Sequence, residues 1–229
     1  MIRLSGITKS FPDGENQLNH VLRDIELNVE KGDFVAIKGM SGSGKTTLLS
    51  ILGTLILPDL GSYLLNGREM LTAGVDHSLV RNKEIGFIFQ EHRLMPQYCA
   101  LENILLPALA YQSKATSEQE KYAQQLMEIT GILGIAKQFP ATLSGGEASR
   151  VSLCRALVMK PLLILADEPT GQLDAENAMN IATLLSKINK TLQTTIVMVT
   201  HSKEVSAVAN RMLILKEGKL SHGELKMRH

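Results

Sequence analysis

The sequence predicts an α/β fold built around a parallel sheet, and three observations carry that reading. Short apolar runs alternate with stretches of helical period, an order that lays strands side by side in one direction. One such run, Phe34-Val35-Ala36-Ile37, leads through the glycine-rich loop Gly39-Met40-Ser41-Gly42-Ser43-Gly44-Lys45-Thr46-Thr47 into a helix. Between residues 91 and 160 strand signals stop and helical periodicity takes over, which marks a helical insertion.

Taken in order, Ile2 to Ile7 and Val21 to Val29 read as strands, the second with Leu22, Leu27 and Val29 spaced for a half-buried face. Lys31-Gly32-Asp33 turns the chain into the strand at Phe34, and the helix after the glycine-rich loop is expected to reach about Leu55. Pro58, Gly61 and Gly67 punctuate a short hairpin around Tyr63-Leu64-Leu65-Asn66-Gly67. A polar helix near Ser78 precedes the buried strand Ile85 to Phe89, which ends at Gln90. In the insertion, helices are expected over Ala100 to Ala110, Ser117 to Thr130 and Gly146 to Met159, with a capping box at Thr116-Ser117-Glu118-Gln119-Glu120. The sheet resumes at Leu162 to Ala166, Thr195 to Val199 and Met212 to Leu215, with helices from Asn177 to Lys190 and from Ser202 to Val208 between them.

The loop from Gly39 to Thr46 fits the pattern Gly-x4-Gly-Lys-Ser/Thr, and each residue type has a reason. Gly39, Gly42 and Gly44 let the backbone wrap closely around an oxyanion. The loop amides and the helix N-terminus point partial positive charge at a phosphate. Lys45 can reach the β- and γ-phosphates of a nucleoside triphosphate, and the Thr46 hydroxyl can coordinate Mg2+. A second group completes that chemistry. Leu162 to Ala166 is a buried run ending in Asp167 and Glu168. Asp167 can hold the Mg2+ hydration shell, and Glu168 can orient or deprotonate the attacking water. Leu143-Ser144-Gly145-Gly146-Glu147 opens a helix and leaves amides and a hydroxyl for a second anion.

With these residues in this order, the chain resembles the ATP-binding cassette (ABC) ATPases over nearly its whole length. Gly39 to Thr46 is similar to their Walker A loop and Leu162 to Asp167 to their Walker B strand, which makes Glu168 the catalytic glutamate. Gln90 falls at the family's Q-loop, as Mg2+ ligand and coupling residue. Leu143 to Glu147 resembles the signature motif, with Glu147 where many members have Gln, and Gly171-Gln172-Leu173-Asp174 resembles the D-loop. His201, with Ser202 after it where Asp is usual, resembles the switch histidine that contacts the γ-phosphate. Phe11 is the nearest match to the aromatic that stacks on adenine, commonly Tyr. A finer resemblance, to the subfamily serving lipoprotein release and macrolide-type efflux, rests on Gly86 to Gln90, Leu94-Met95-Pro96, Ala100 to Ile104, Leu106-Pro107 and Leu165 to Gly171. Where that subfamily often has Gln-Gln-Arg after its signature, this chain has Ala148-Ser149-Arg150.

The resemblance implies one domain over residues 1–229, with a P-loop NTPase (RecA-like) core at 1–90 and 161–229, an antiparallel β subdomain, and an α-helical subdomain at 91–160. It implies ATP and Mg2+ as cofactors, a homodimer with Ser144, Gly145 and Gly146 completing the partner's site, and a separate membrane permease docked on Glu91 to Leu109. Export or extraction of a lipoprotein, peptide or drug-like substrate follows as an expectation.

Composition excludes several alternatives. Apolar residues make up 44 % and charged residues 21 % of the 229, and 24 basic against 23 acidic residues leave a net charge of +1. That balance lacks the basic face a nucleic-acid partner would need. This weighs against the rival expectation of a soluble ABC ATPase acting on DNA or ribosomes, as does the lack of a zinc module or coiled-coil insertion. No run approaches the length of a membrane span, and Met1 to Gly6 lacks the apolar centre of a signal peptide. Cys99 and Cys154 form no disulfide framework, and Cys154 shares a helical stripe with Val151 and Leu157, as a core thiol would. The expected place is the cytoplasm, peripheral on the inner face of the cell membrane through the permease. His20, His77, His92, His222 and His229 lack metal-ligand spacing and are expected at the surface.

Overall fold

In the computed structural model, which describes residues 1–14 and 17–223, two sheets and a helical block pack around two apolar cores. His229 lies outside the described residues. The larger sheet has six strands, ordered β10(Lys219–His222), β9(Arg211–Lys216), β3(Phe34–Lys38), β8(Thr195–Thr200), β7(Leu163–Asp167) and β6(Ile85–Ile88). All neighbours are parallel except the β9–β10 edge. Parallel strands covered on both faces need apolar residues on both, and β3 supplies them. Phe34 and Ala36 enter a core shared with the helical block, while Val35 and Ile37 enter a second core under the smaller sheet.

That smaller sheet is antiparallel, ordered β2(Gln17–Val29), β1(Ile2–Asp13), β4(Leu60–Leu65) and β5(Arg68–Glu69). Ile2, Leu4, Ile7, Ile25 and Tyr63 line its buried face, and the Tyr63 hydroxyl donates to Leu52 O at 2.7 Å. Between the sheets lies α1(Lys45–Leu52), followed after the hairpin by α2(His77–Glu84). The block after β6 comprises α3(Ala100–Leu109), α4(Ser117–Ile129), short 3-10 turns at Leu133–Ile135 and Pro140–Thr142, and α5(Gly145–Leu157). Thr116 caps α4 with Gln119 as the reciprocal partner. Finally, α6(Ala175–Leu192) and α7(Lys203–Ser206) connect β7 to β8 and β8 to β9.

The differences from the sequence expectations have physical causes. β1 and β2 extend past their apolar parts as an exposed ribbon, Ser10 opposite His20 and Asp13 opposite Gln17, where no buried face imposes alternation. β10 is a short polar edge strand, held by pairing with β9. α1 stops at Leu52 because Thr54 turns left-handed at φ 53°. α7 covers a single turn. Cys154 is fully buried, and burial pushes its thiol up to about 12.

Candidate functional site

The glycine-rich loop joins β3 to α1 and ends at Gly44, whose φ of 99° is open to glycine. A Cβ there would also press on Val21 O at 3.0 Å, so β2 packs directly on the loop. The Lys45 ammonium folds back over this loop and donates to Gly39 O at 2.8 Å and Met40 O at 2.9 Å. No acidic side chain occupies the first turn of α1, so its positive end stays uncompensated. The Ser43 hydroxyl is buried without a partner, and a Cβ on Gly39 would lie 2.4 Å from it. A cradle with free amides, a folded-back ammonium and no anion of its own fits a phosphate.

Facing the loop is the end of β7. Asp167 Oδ1 lies 3.5 Å from Thr46 Oγ1. Burial, and then the neighbouring Glu168 charge, pushes the Asp167 carboxyl above its ordinary value, which the Thr46 hydroxyl and the Lys45 charge partly offset. Gln90 borders the same cavity. These hard oxygen donors, with one half-buried carboxylate and open space beside them, fit Mg2+ completed by phosphate and water oxygens.

Glu168 occupies a left-handed backbone position, φ 45°, immediately before Pro169. Such a position is costly for a non-glycine residue, and it is held by Glu168 N donating to Val199 O and Gly171 N donating to Glu168 O, each at 3.0 Å. The strain aims the carboxylate at the end of β8. There Glu168 Oε1 stands 3.0 Å from His201 Nδ1, and Oε2 accepts the His201 amide at 3.3 Å. The Glu168 side chain is 12 % exposed and the His201 side chain 70 %, so the imidazole reaches from a sheltered acid into open space.

One cavity of about 650 Å³ gathers Ser41, Gly42, Gly44, Lys45, Thr46, Thr47, Gln90, Asp167, Glu168 and His201. Gly39 and Ser43 form the back of the loop, and Met40 points outward, 84 % exposed. The other sequence-derived residues stand elsewhere. Phe11 lies outside the cavity lining, half-exposed on β1 with the Lys9 ammonium 5.5 Å from its ring centre. Ser144 caps α5, and its own amide and hydroxyl both donate to Glu147 Oε2, at 2.8 and 2.6 Å. The Glu147 carboxyl is thereby held below its ordinary value, by the Ser144 hydroxyl first, and serves its own helix start. Gly145 and Gly146 pack on Leu173 and Asn177, where Asp174 caps α6 by accepting from Asn177 N at 2.9 Å.

Three residues carry local geometry that the sequence alone did not single out. Val21 lines the cavity, but an apolar strand residue carries no signal for that role. Arg93 covers the Phe89 ring at 4.3 Å and faces Asp167 electrostatically. His92, expected at the surface, is half-buried, with Nε2 2.7 Å from Ser149 Oγ. Only folding brings position 149 within reach.

Known proteins resemble the chain along nearly its whole length. The family model described as ABC transporter matches residues 22–171. The chain is 43 % identical over 221 residues to the lipoprotein-releasing system ATP-binding protein LolD 1 of Rhodopirellula baltica, covering 96 % of each. It is 42 % identical to the macrolide export ATP-binding/permease protein MacB of Mannheimia succiniciproducens, covering 96 % of this chain but 34 % of that longer protein. Its structure is similar, with a TM-score of 0.88, 34 % identity and full coverage of both chains, to a dimeric post-hydrolysis state of the ATP-binding cassette MJ0796 bound to ADP and Pi. It also matches CbiO1 from Clostridium perfringens, part of the ABC transporter complex CbiONQ, with a TM-score of 0.85 and 25 % identity over 96 % of this chain and 86 % of that one.

Proposed function

The chain belongs to the ABC transporter family as an ATP-hydrolysing subunit, and from that premise we propose that two copies close head to tail around two MgATP to drive a separate membrane permease. One observation carries the proposal. Lys45, Thr46, Gln90, Asp167, Glu168 and His201 share a cavity, whereas the second anion-binding helix start, Ser144 to Gly146, stands outside it. Each copy then holds one half of two sites.

In this reading the Lys45 ammonium exchanges its two carbonyl partners for β- and γ-phosphate oxygens, a stronger charge-assisted pairing. The amides of Ser41 to Thr47 hold the phosphates from below, and the Phe11 ring stacks on adenine. Thr46 and Asp167, with Gln90, would hold Mg2+, which would neutralise phosphate charge. Glu168 accepts the proton of the attacking water. His201, pinned through Nδ1 to Glu168, turns its other nitrogen to the γ-phosphate. The partner's Ser144, Gly145 and Gly146 grip that phosphate from the opposite side, and the capped Glu147 and Asp174 keep the helix starts of α5 and α6 in place. Cleavage removes the shared charge and releases the halves.

The core is assigned to residues 1–90 and 161–229 and the helical subdomain to 91–160. The permease is assigned to a groove of about 460 Å³ beside Gln90, between α2, β6, α3 and α5. Phe87, Phe89 and Tyr111 give the groove apolar surface, and Arg81, Arg93 and Arg155 line it with no carboxylate among the lining residues. An acidic cytoplasmic segment of the permease suits that lining. The names of the relatives support export or extraction of a lipoprotein, peptide or drug-like molecule at the inner face of the cell membrane, rather than work on DNA or ribosomes.

Light scattering on the Glu168→Gln variant tests the sandwich. With saturating MgATP the mass should double, and multiple-turnover hydrolysis should fall by about 10²- to 10⁴-fold, the usual contribution of a general base. A persistently monomeric variant, also with its permease present, would reject the proposal. Crosslinks from the permease to α6 instead of the arginine-lined groove would reject the docking assignment.

A further inference from the structure

Directly after Gln90 the chain bends back through two successive left-handed residues, His92 at φ 56° and Arg93 at φ 49°. Side chains at such angles persist only where neighbours hold them. Here α5 does the holding. Arg155 donates to both carbonyls of the bend, to His92 O at 2.5 Å and to Arg93 O at 2.7 Å. Nearer the start of α5, Ser149 Oγ lies 2.7 Å from His92 Nε2. Ser149 is 2 % exposed and directs its hydroxyl proton to Gly145 O at 3.0 Å. With that proton on Gly145 O, the oxygen is free to accept from the ring in the tautomer that carries a proton on Nε2. A bonded line thus runs from the residues after Gln90, through His92 and Ser149, to Gly145 at the start of α5. Ser149 is one of the two positions where the chain departs from the Gln-Gln-Arg of its subfamily, and its short side chain is what the ring meets.

We infer that His92 is a positioning residue that ties the Gln90 end of one nucleotide site to the helix start serving the other. Resting on the sandwich reading above, it makes the two half-sites of one chain a single rigid unit. When the γ-phosphate draws on Gln90, Ser144 to Gly146 move with it and meet the partner's phosphate in register. Arg155 sets the bend, and His92 sets the height of the α5 start against it. Neither His92 nor Ser149 lines the phosphate cavity.

The test is carried out in the full chain carrying Glu168→Gln, by measuring MgATP-driven dimerisation and the nucleotide affinity of the monomer separately. His92→Ala should raise the dimer dissociation constant by about tenfold, the effect of losing roughly one hydrogen bond, with monomer affinity within about twofold. In the Glu168 background with the permease, it should lower kcat while KM for ATP stays within about twofold. His92→Gln, whose amide nitrogen reaches as far as Nε2 and donates, should restore both. Ser149→Ala should match His92→Ala, and the double variant should be no worse than either alone. If Glu168→Gln itself fails to dimerise, the sandwich reading falls. If it dimerises but His92→Ala does so equally well, or loses monomer nucleotide affinity in step, the positioning role is wrong.

Discussion

Gly86→Ala probes the contact that fixes α5 to the sheet. Gly86 sits in β6, and an added Cβ would lie 2.2 Å from Ala156 O, 3.0 Å from Ala156 C and 3.2 Å from Pro161 Cγ. The nearest obstacle is helix backbone, not a flexible side-chain end, so β6 and α5 must separate by roughly 1 Å, an overpacking of the costlier kind. Overpacking costs about 1–3 kcal/mol, and a backbone clash belongs near the top of that range. For a chain of 229 residues each kcal/mol lowers Tm by about 2–4 °C, so a fall of roughly 6–12 °C is expected. Thermal and urea unfolding followed by circular dichroism measure it. Gly134→Ala serves as control, because a Cβ there meets nothing within 4 Å. That variant should match or slightly exceed the parent. The same helix carries Ser149 and Arg155, so ATP hydrolysis in Gly86→Ala should fall at temperatures where the protein is still folded. A Tm within about 2 °C of the parent would refute the argument that β6 and α5 are in backbone contact.

Two further outcomes follow from the titratable groups. Burial holds the Cys154 thiol near 12, and burial also raises the less sheltered Cys99, so the native chain at pH 8 should lose one thiol slowly to an alkylating reagent and the second after unfolding. Mass spectrometry counts them, and fast labelling of Cys154 in the native state would contradict its burial. Asp59, bonded by Lys9, Glu102, bonded by the Cys99 amide, and Glu147, bonded by the Ser144 hydroxyl, all titrate below their ordinary values of 3.8 or 4.5. A depressed folded-state value means stability that is present above the unfolded value and lost as pH falls through the folded one. The contribution of these three groups to Tm should therefore be nearly level from about pH 8 to 5 and decline below about pH 4. The gap between the parent and Glu147→Gln should close over that decline, and a gap unchanged at pH 3 would show that the Ser144–Glu147 bond contributes nothing.

Much of the fold could be read from local pattern. β3, β7 and β8 are short continuous apolar runs because parallel strands are buried on both faces, and such runs announce themselves. The α6 stripe and the Thr116 cap are equally local. The outer ribbon of β1 and β2 and the edge strand β10 escaped notice because exposed strands need no apolar alternation. Among the site residues, the glycine-rich loop and the acids ending β7 declare themselves, since phosphate and metal chemistry restrict which residue types can stand there.

Sequence alone determined the chemical inventory: the phosphate cradle, the paired acids, the helix starts and the alternation that makes a parallel sheet. These depend on backbone freedom, charge and period, which act over a few neighbouring residues. Tertiary structure alone decided that His201 meets Glu168 at 3.0 Å, that Ser144 to Gly146 stand outside their own phosphate cavity, and that His92 bonds Ser149 across 57 positions of chain. Those relations depend on how strands and helices pack at distances that no local pattern encodes: β7 beside β8 sets the first, and α5 lying against β6 the other two.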